Sequence, residues 1–352
     1  MTGTADTKPW ALSDAPGLTG KVAIVTGATG GLGIETALGL CRRGATTILA
    51  GRNPGKGSHA VDRILRLVPG AKARFEPLDL ASLASVHRFA DAVRAAHGGV
   101  IDILVNNAGV MGMPARQQTE DGFERQIGVN YLAHFALTAR LKDALCAAPG
   151  GGRVVNLASL AHRRGQLDLD DLQSAKTYSP MGAYAASKLA MLVFTIELQR
   201  RADRNHWNLC SVAAHPGWAR TDIIGNGMTG LKARVIETVF GLVAQSAADG
   251  ALPSLYAATS PDVNGGAYYG PSRFDERRGP PAPARIFPQA TDPATAARLW
   301  TLSEALTGVS FDEPSTATAA PPSGPPSSAA RSPAGQHPWP PAPAAPAAST
   351  GR

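Results

Sequence analysis

Two residues in one predicted helix have side chains suited to proton transfer. Tyr184 and Lys188 are four residues apart in the helical segment Met181–Arg204, so both project from the same helix face. A free tyrosine has a pKa of about 10 and is a poor acid or base at neutral pH. An adjacent ammonium favours the phenolate, so we expect Lys188 to lower the tyrosine pKa. The pair predicts acid–base chemistry, although surface helices often contain this spacing by chance.

Two further polar residues can complete a catalytic set. Ser159 lies just past the predicted strand Arg153–Leu157, where it either donates a hydrogen bond to a substrate oxygen or caps a loop. Asn130 lies in the middle of the predicted helix Asp121–Leu145. It could anchor a water that relays protons to Lys188, although asparagines in helices often face solvent or bond locally. The predicted catalytic residues are therefore Asn130, Ser159, Tyr184 and Lys188.

A glycine-rich turn follows the first predicted strand and precedes a helix. In such a turn the backbone N–H groups can approach a pyrophosphate, and the helix N-terminus adds unpaired donors and a positive dipole end. A tight turn without a ligand is the alternative, but the strand–turn–helix context favours a dinucleotide site. The candidate binding residues in this turn are Thr26, Gly27, Thr29, Gly31, Leu32 and Gly33.

The end of the second predicted strand indicates which dinucleotide is bound. NAD sites usually place Asp or Glu about 20 residues beyond the glycines, where it binds the ribose 2′-OH. Here Arg52 follows the strand, 19 positions after Gly33 (52 − 33), and no carboxylate is nearby. A guanidinium can bind the 2′-phosphate of NADP through two hydrogen bonds. NADP(H) is the predicted cofactor, unless Arg52 is an ordinary exposed arginine.

Two more strand ends complete the predicted cofactor pocket. Asp79 and Leu80 follow the third strand. Asp79 either accepts a hydrogen bond from the adenine amino group or caps a helix that starts near Ser82. An Asn-Asn-Ala-Gly turn ends the fourth strand, as a simple turn or as a wall of the site. Its candidate residues are Asn107, Ala108 and Gly109.

The strand and helix patterns alternate along most of the chain. Such alternation predicts an α/β fold with one Rossmann-type, doubly wound parallel sheet of seven strands and helices on both faces. The predicted strands are Val22–Val25, Thr47–Ala50, Ala73–Glu76, Ile101–Val105, Arg153–Leu157, Leu209–Ala213 and Ala267–Tyr269. Residues 20–312 form one predicted dinucleotide-binding domain after a polar lead-in, residues 1–19. The Pro/Ala/Ser-rich segment 313–352 has few side chains to bury, so we expect disorder there.

Charge and cysteine usage narrow the functional class. The net charge of +7 is spread along the chain, which does not favour nucleic-acid binding. Short basic clusters such as Arg163-Arg164 and Arg277-Arg278 are interpreted as solvated surface. The three cysteines are widely separated, so the sequence predicts neither a metal site nor a disulfide framework. We found no signal peptide and no apolar stretch of spanning length, so the expectation is a soluble cytoplasmic protein without a membrane partner.

Taken in order along residues 20–275, these motifs resemble the short-chain dehydrogenase/reductase family. The matching segments are TGATGGLG (26–33), DL (79–80), NNAG (106–109), Asn130, Ser159, YAASK (184–188) and HPG (215–217). The resemblance implies that Tyr184 is the general acid/base, Ser159 the substrate-oxygen donor, and Asn130 the holder of a relay water. It also implies that Lys188 binds the nicotinamide ribose and lowers the tyrosine pKa. It places Thr221, after the Pro216-Gly217 turn, near the nicotinamide carboxamide, and it counts Tyr184, Pro216 and Gly217 among the cofactor-binding residues.

Two segments suggest a branch of that family. VVNLASLAH (154–162) and AAHPGWARTDI (213–223) are similar to the retinol dehydrogenase and protochlorophyllide reductase-like branch. Segment Trp218–Arg234 is interpreted as a mobile lid or as a glycine-rich surface loop. His162 and His215 are either proton shuttles or structural residues. The resemblance also implies that the two long helices could pair between subunits of a homo-oligomer.

The predicted function is NADP(H)-dependent hydride transfer to or from a carbonyl or alcohol carbon of a fairly hydrophobic small molecule. Two alternatives remain open. One is a sensor or scaffold that binds NADP(H) without chemistry, although such a protein has no need of a tuned phenol. The other is reduction of a carbon–carbon double bond, which the Tyr184–Lys188 pair would also serve.

Overall fold

The molecule is built on one eight-stranded sheet, as seen in a computed structural model that describes residues 8–219 and 245–312. Most strands are apolar and buried on both faces, as parallel strands covered by helices must be. The strands are β1 (Val22–Thr26), β2 (Thr46–Gly51), β3 (Lys72–Pro77), β4 (Ile103–Asn106), β5 (Gly152–Leu157), β6 (Leu209–Ala214), β7 (Tyr268–Arg273) and β8 (Arg278–Pro283).

The strand order confirms the predicted doubly wound fold and adds one strand. The order is β3-β2-β1-β4-β5-β6-β7-β8, and β1 to β7 pair in parallel. The prediction of seven strands was wrong because β8 pairs antiparallel with β7. Its sequence, RGPPAP, has three prolines, which lack the N–H of a central strand and are tolerated at a sheet edge.

Helices cover both faces of the sheet and enclose two hydrophobic cores. The helices are α1 (Gly31–Arg42), α2 (Pro54–Leu67), α3 (Leu83–Ala96), α4 (Ala133–Cys146), α5 (Pro180–Asn205), α6 (Ala247–Thr259) and α7 (Pro293–Thr307). One core lies between the sheet and α1, α2 and α6, and the other between the sheet and α3, α4, α5 and α7. Strand β1 lies between β2 and β4, where the chain changes direction across the sheet. Ligands of open α/β sheets bind at such a switch point.

Helix α5, which carries the Tyr184–Lys188 pair, begins with local chemistry that the sequence encodes. The Ser179 side chain accepts a hydrogen bond from the Gly182 N–H, and Pro180 occupies the first turn, where its missing N–H costs nothing. The predicted segment Met181–Arg204 is therefore confirmed within one residue at each end. A fixed start places Tyr184 in the first turns of the helix.

Helix α5 is also long and apolar enough to span a bilayer, so the expectation that no such stretch exists was wrong. Its apolar window has a mean hydropathy of 1.3, but 78% of that window is buried within the fold. Such burial is typical of the central helix of a globular core.

Helix α7 packs against α4 and α5 through a cluster of aromatic rings. Trp300 of α7 lies 5.2 Å from Phe135 of α4 and 5.9 Å from Phe194 of α5, measured between ring centroids. Phe311, just past α7, contacts the same rings and is buried. The chain therefore covers these aromatic faces itself, and any pairing of α4 and α5 between subunits would need other faces.

Several predicted features lie outside the described residues. They are Thr221, most of the proposed lid Trp218–Arg234, the first seven residues and the Pro/Ala/Ser-rich segment 313–352.

Candidate active site

A cavity of about 310 Å³ opens at the carboxyl edge of the sheet, beside β1, β2 and β4. Most of the predicted cofactor residues line it, and they come from four separate strand ends. Those lining residues are Gly27, Thr29, Gly31, Leu32, Gly33, Arg52, Asp79, Leu80, Asn107, Ala108 and Gly109. We call this set the cofactor wall. The sequence analysis missed Arg125 and Val129, which line the same cavity from the segment before α4.

The glycines of the first turn are required by close packing. Gly27 has a φ of 66°, a left-handed conformation that favours glycine. A Cβ added to Gly33 would lie 2.4 Å from the Gly27 carbonyl oxygen and 2.6 Å from Nδ2 of Asn107. A side chain at Gly33 would therefore displace the turn. The open backbone at the start of α1 fits the pyrophosphate of a dinucleotide.

Thr26 holds the cofactor wall together from behind rather than lining the cavity. Its buried hydroxyl accepts hydrogen bonds from the backbone N–H groups of Asn107 (2.9 Å) and Ala108 (3.0 Å). That hydroxyl also lies 2.9 Å from Nε2 of His134, a buried residue of α4 that the sequence analysis did not single out. The other ring nitrogen, Nδ1, bonds to the backbone carbonyl of Asn130 at 3.0 Å. Because a carbonyl only accepts, Nδ1 carries the proton and Nε2 accepts from Thr26.

The polar side chains of the cofactor wall are placed for a charged nucleotide. Arg52 is exposed, lines the cavity and has no carboxylate within ion-pairing distance among residues 8–219 and 245–312. Asp79 accepts a hydrogen bond from the Ala81 N–H (2.9 Å), so it closes a turn two residues long. Ser82, rather than Asp79, occupies the N-cap position of α3. The helix-cap alternative for Asp79 was wrong.

Lys188 and Asn130 reach the cofactor wall from the other side. A Cβ added to Gly109 would lie 3.2 Å from Oδ1 of Asn130 and 3.5 Å from Nζ of Lys188. Nζ of Lys188 donates to the backbone carbonyl of Leu157 at 2.7 Å, and Leu157 also lines the cavity. The two predicted catalytic residues are thus brought together at the cavity edge.

Asn130 lies in a widened helical turn whose geometry the sequence did not reveal. Instead of one helix over Asp121–Leu145, a short helical turn (Arg125–Ile127) and a π-helical turn (Gly128–Leu132) precede α4. Single π-helical turns occur often at functional sites. Both amide N–H groups of Asn130 are used, one by the Val110 carbonyl and one by Ser187, each at 2.9 Å.

Tyr184 and Ser159 face each other next to Lys188. The Ser159 side chain interacts with the Tyr184 hydroxyl and favours its ionised form, and Nζ of Lys188 lies 5.9 Å from the Tyr184 ring centre. Burial raises the pKa of Tyr184, partly offset by the Ser159 contact, so the expected lowering by Lys188 is not seen. The physical reason is that burial disfavours the charged phenolate of Tyr184 more than its neighbours favour it. The same burial lowers the pKa of Lys188 to about 8, so its ammonium is still mostly charged at neutral pH.

The predicted Pro216-Gly217 turn follows β6 but lies outside the cavity lining. Gly217 has a φ of 61°, and a Cβ there would lie 2.4 Å from the carbonyl oxygen of Arg277. The turn is joined to the β7–β8 hairpin because the Trp218 N–H donates to that same carbonyl at 2.8 Å.

The basic pair Arg163-Arg164 does not form one solvated surface. Arg164 is exposed as predicted. Arg163 is only 16% exposed and pairs with Asp275 at 2.9 Å and Glu276 at 2.7 Å. The surface interpretation of Arg163 was wrong because its partners lie 112 and 113 positions away in the chain.

The sequence model of the short chain dehydrogenase family matches residues 21–229. This span contains the cofactor wall and every predicted catalytic residue. The chain belongs to the short-chain dehydrogenase family.

This short-chain dehydrogenase is similar to proteins named polyprenol dehydrogenase and retinol dehydrogenase. It is 41% identical to mouse polyprenol dehydrogenase over 309 residues, which is 86% of this chain and 88% of that protein. It is 40% identical to human retinol dehydrogenase 13 over 297 residues, 82% of this chain and 85% of that protein. These matches support the retinol dehydrogenase-like branch.

Solved structures show the same fold. A crystal structure of an uncharacterized protein from Mycobacterium paratuberculosis is 39% identical, with a TM-score of 0.71, covering 87% of this chain and all of that one. A short chain dehydrogenase from Burkholderia cenocepacia in complex with NADP is 27% identical, with a TM-score of 0.55, covering 71% of this chain and 96% of that one. The likeness to that complex supports a nicotinamide cofactor.

Proposed function

We propose that this short-chain dehydrogenase interconverts a carbonyl and an alcohol on a hydrophobic small molecule, with NADP(H) as cofactor and Tyr184 as the general acid/base. The observation that carries the proposal is the placement of Tyr184, Ser159 and Lys188 at one edge of a glycine-lined cavity. The names of the relatives suggest the substrate class. Retinol and polyprenols are both isoprenoid alcohols, so an isoprenoid aldehyde or alcohol is the proposed substrate.

The preference for NADP(H) is proposed from charge. Arg52 follows β2 and lines the cavity. In an NAD site, a carboxylate at this position binds the ribose 2′-OH. An exposed guanidinium without an ion-pair partner among the described residues is available for a phosphate. The bound nicotinamide would supply or accept the hydride.

The residues of this chain perform the remaining chemistry. Ser159 donates to the substrate oxygen and fixes its position next to the Tyr184 hydroxyl. In the reductive direction Tyr184 gives its proton to that oxygen, and in the oxidative direction it removes the proton from the alcohol. Lys188, held by the Leu157 carbonyl, provides the positive charge that stabilises the phenolate once the proton has left. The same cation would contact the cofactor ribose beside Gly109.

Turnover with matched substrates tests the proposal. Purified protein is incubated with NADPH or NADH and with retinal, a polyprenal and short aldehydes and ketones, and NADPH consumption is followed by absorbance. The reverse reaction is assayed with the corresponding alcohols and NADP. We expect reduction to the alcohol, with a kcat/KM at least about tenfold higher for NADPH than for NADH.

Two results would contradict this function. Tight binding of NADPH with no turnover of any carbonyl or alcohol would favour the sensor alternative. A product saturated at the carbon–carbon double bond, with its carbonyl intact, would show that the enzyme reduces alkenes instead.

A further inference from the structure

A polar cluster lies beside Ser159 and at strands β6 to β8, whereas the cofactor wall lies at the ends of β1 to β4. It joins the segment after Ser159, the turn after β6 and the β7–β8 hairpin. We call it the hairpin cluster, and its members are His162, Arg163, His215, Tyr268 and Glu276.

Three rings form the centre of the hairpin cluster. The His162 and Tyr268 rings meet edge to face at 5.3 Å, and Tyr268 lies 5.0 Å from the ring of His215. Nδ1 of His162 donates to the backbone carbonyl of Ser159 at 2.6 Å. All three rings are buried. The position of Ser159 is thus tied through ring contacts to the turn that follows β6.

Glu276 closes the cluster from the hairpin. Its Oε2 lies 2.7 Å from Nη2 of Arg163 and 3.2 Å from Nε2 of His215. Its Oε1 accepts the backbone N–H of Arg285 at 3.0 Å. The Gly217 N–H donates to Nδ1 of His215 at 3.2 Å, so the proton of the neutral ring is on Nε2, towards the carboxylate. The Nε2 contact is not aligned as a strong hydrogen bond.

The ionisation state and the backbone conformation of Glu276 are both set by its surroundings. Burial alone would raise its pKa, but contacts with His215, the Arg285 N–H and Arg163 lower the pKa to about 2, so the side chain is ionised. The hairpin tip Phe274–Glu276 has three consecutive non-glycine residues with positive φ, from 54° to 63°. Such strain persists only where surrounding contacts impose it, and it occurs often at functional sites.

We propose that Glu276 is a positioning residue, which holds the Ser159 segment and the Pro216-Gly217 turn in register so that Ser159 faces Tyr184. Arg163 connects Glu276 to the first of these segments, and His215 connects it to the second. The inference rests on the proposed oxidoreductase function, because positioning is measured there as turnover.

The neighbouring residue Asp275 provides a matched control. Asp275 lies on the same hairpin tip and also pairs with Arg163 and Arg285. Its side chain is 42% exposed, and the described structure shows no contact between it and His215. Glu276→Gln and Asp275→Asn therefore remove one charge each from the same hairpin, but only Glu276 contacts His215 in the segment after β6.

The experiment compares these two variants in steady-state kinetics with NADPH and the best substrate. We expect Glu276→Gln to lower kcat by about 10- to 100-fold, since small misplacements of a reacting group have effects of this size. The Kd of Glu276→Gln for NADPH should change less than about threefold, because Glu276 is not part of the cofactor wall. In Asp275→Asn, both kcat and the Kd for NADPH should stay within about threefold of the wild-type values. Equal kcat values for the two variants would overturn the inference.

Two additional measurements separate positioning from loss of folding and from failure of the proposed function. In the double variant Arg163→Gln/Glu276→Gln, the loss in kcat should be much smaller than the product of the single losses, because both act through one contact. Full additivity would count against the inference. In ¹⁵N-labelled protein, the His215 Nε2–H signal should shift in Glu276→Gln but not in Asp275→Asn. If the wild type has no turnover but this shift is seen, the placement of Glu276 stands and the proposed function fails.

Discussion

The cofactor wall lies at the ends of β1 to β4, whereas the hairpin cluster lies at the other end of the strand order, at β6 to β8, and the two are built differently. The cofactor wall comes from short motifs, each of which directly follows a parallel strand. The hairpin cluster is assembled from side chains far apart in the chain, such as Arg163 and Glu276, separated by 113 positions. A site wall made of turns is local in sequence, whereas a wall made of long-range ion pairs and ring contacts is not.

The largest expected effect concerns Tyr184. Tyr184→Phe should lower kcat by about 10³-fold, because the variant cannot transfer a proton. Its Kd for NADPH should change less than about threefold, since the phenol hydroxyl is not part of the cofactor wall. Steady-state kinetics and a fluorescence titration with NADPH measure the two quantities.

Tyr178→Phe is the control for this variant. The Tyr178 hydroxyl donates to the Met113 carbonyl at 2.8 Å and accepts from Nε2 of Gln126 at 3.2 Å. Within the described residues it makes no hydrogen bond to Asn130, Ser159, Tyr184 or Lys188. The control should retain kcat within about threefold. If Tyr184→Phe kept normal turnover, or lost turnover only through loss of NADPH binding, the division between chemistry and cofactor binding would be wrong.

The difference between the cofactor wall and the hairpin cluster also explains which site residues the sequence could predict. The sequence could bring Gly27, Arg52 and Asn107 to one cavity because each follows a strand whose position in the sheet is set by the strand–helix alternation. Their role in cofactor binding stays a prediction. Glu276 was missed because β8, which orients it, is a proline-rich edge strand without the usual strand pattern.

Two further differences arise from tertiary structure. The π-helical turn at Asn130 results from a shift in backbone hydrogen bonding that leaves the hydrophobic pattern unchanged. The pKa of Tyr184 depends on how deeply the ring and Lys188 are buried. Spacing along a helix fixes the face of a side chain and carries no information about this depth.

An intermediate effect is expected at the cofactor wall. Arg52→Ala should raise the KM for NADPH by about 10- to 100-fold, because charged hydrogen bonds to the 2′-phosphate are lost. The KM for NADH, which has no 2′-phosphate, should change less than about threefold. The kcat at saturating NADPH should be retained.

Arg125→Ala provides the comparison, since Arg125 is the second cation that lines this cavity. If Arg125→Ala, rather than Arg52→Ala, weakened the binding of NADPH but not of NADH, the phosphate-binding role would belong to Arg125. An equal loss for NADPH and NADH in Arg52→Ala would show that Arg52 does not recognise the 2′-phosphate.

The last prediction concerns protein stability rather than kinetics, and it involves Lys188, which lies between Gly109 of the cofactor wall and Tyr184. Burial lowers its pKa from 10.5 to about 8. Between these two values the unfolded chain holds a proton that the folded protein lacks, so this residue makes the free energy of unfolding rise with pH. The slope of the unfolding free energy that comes from Lys188 is at most about 1.4 kcal/mol per pH unit. This slope falls to zero below pH 8, where both the folded and the unfolded protein hold the proton. Urea denaturation of the wild type and Lys188→Met across this pH range measures the difference, with the exposed Lys176→Met as control. If the wild type and Lys188→Met gave parallel stability profiles, the Lys188 ammonium would be solvated in the folded protein, and its burial between Gly109 and Tyr184 would be refuted.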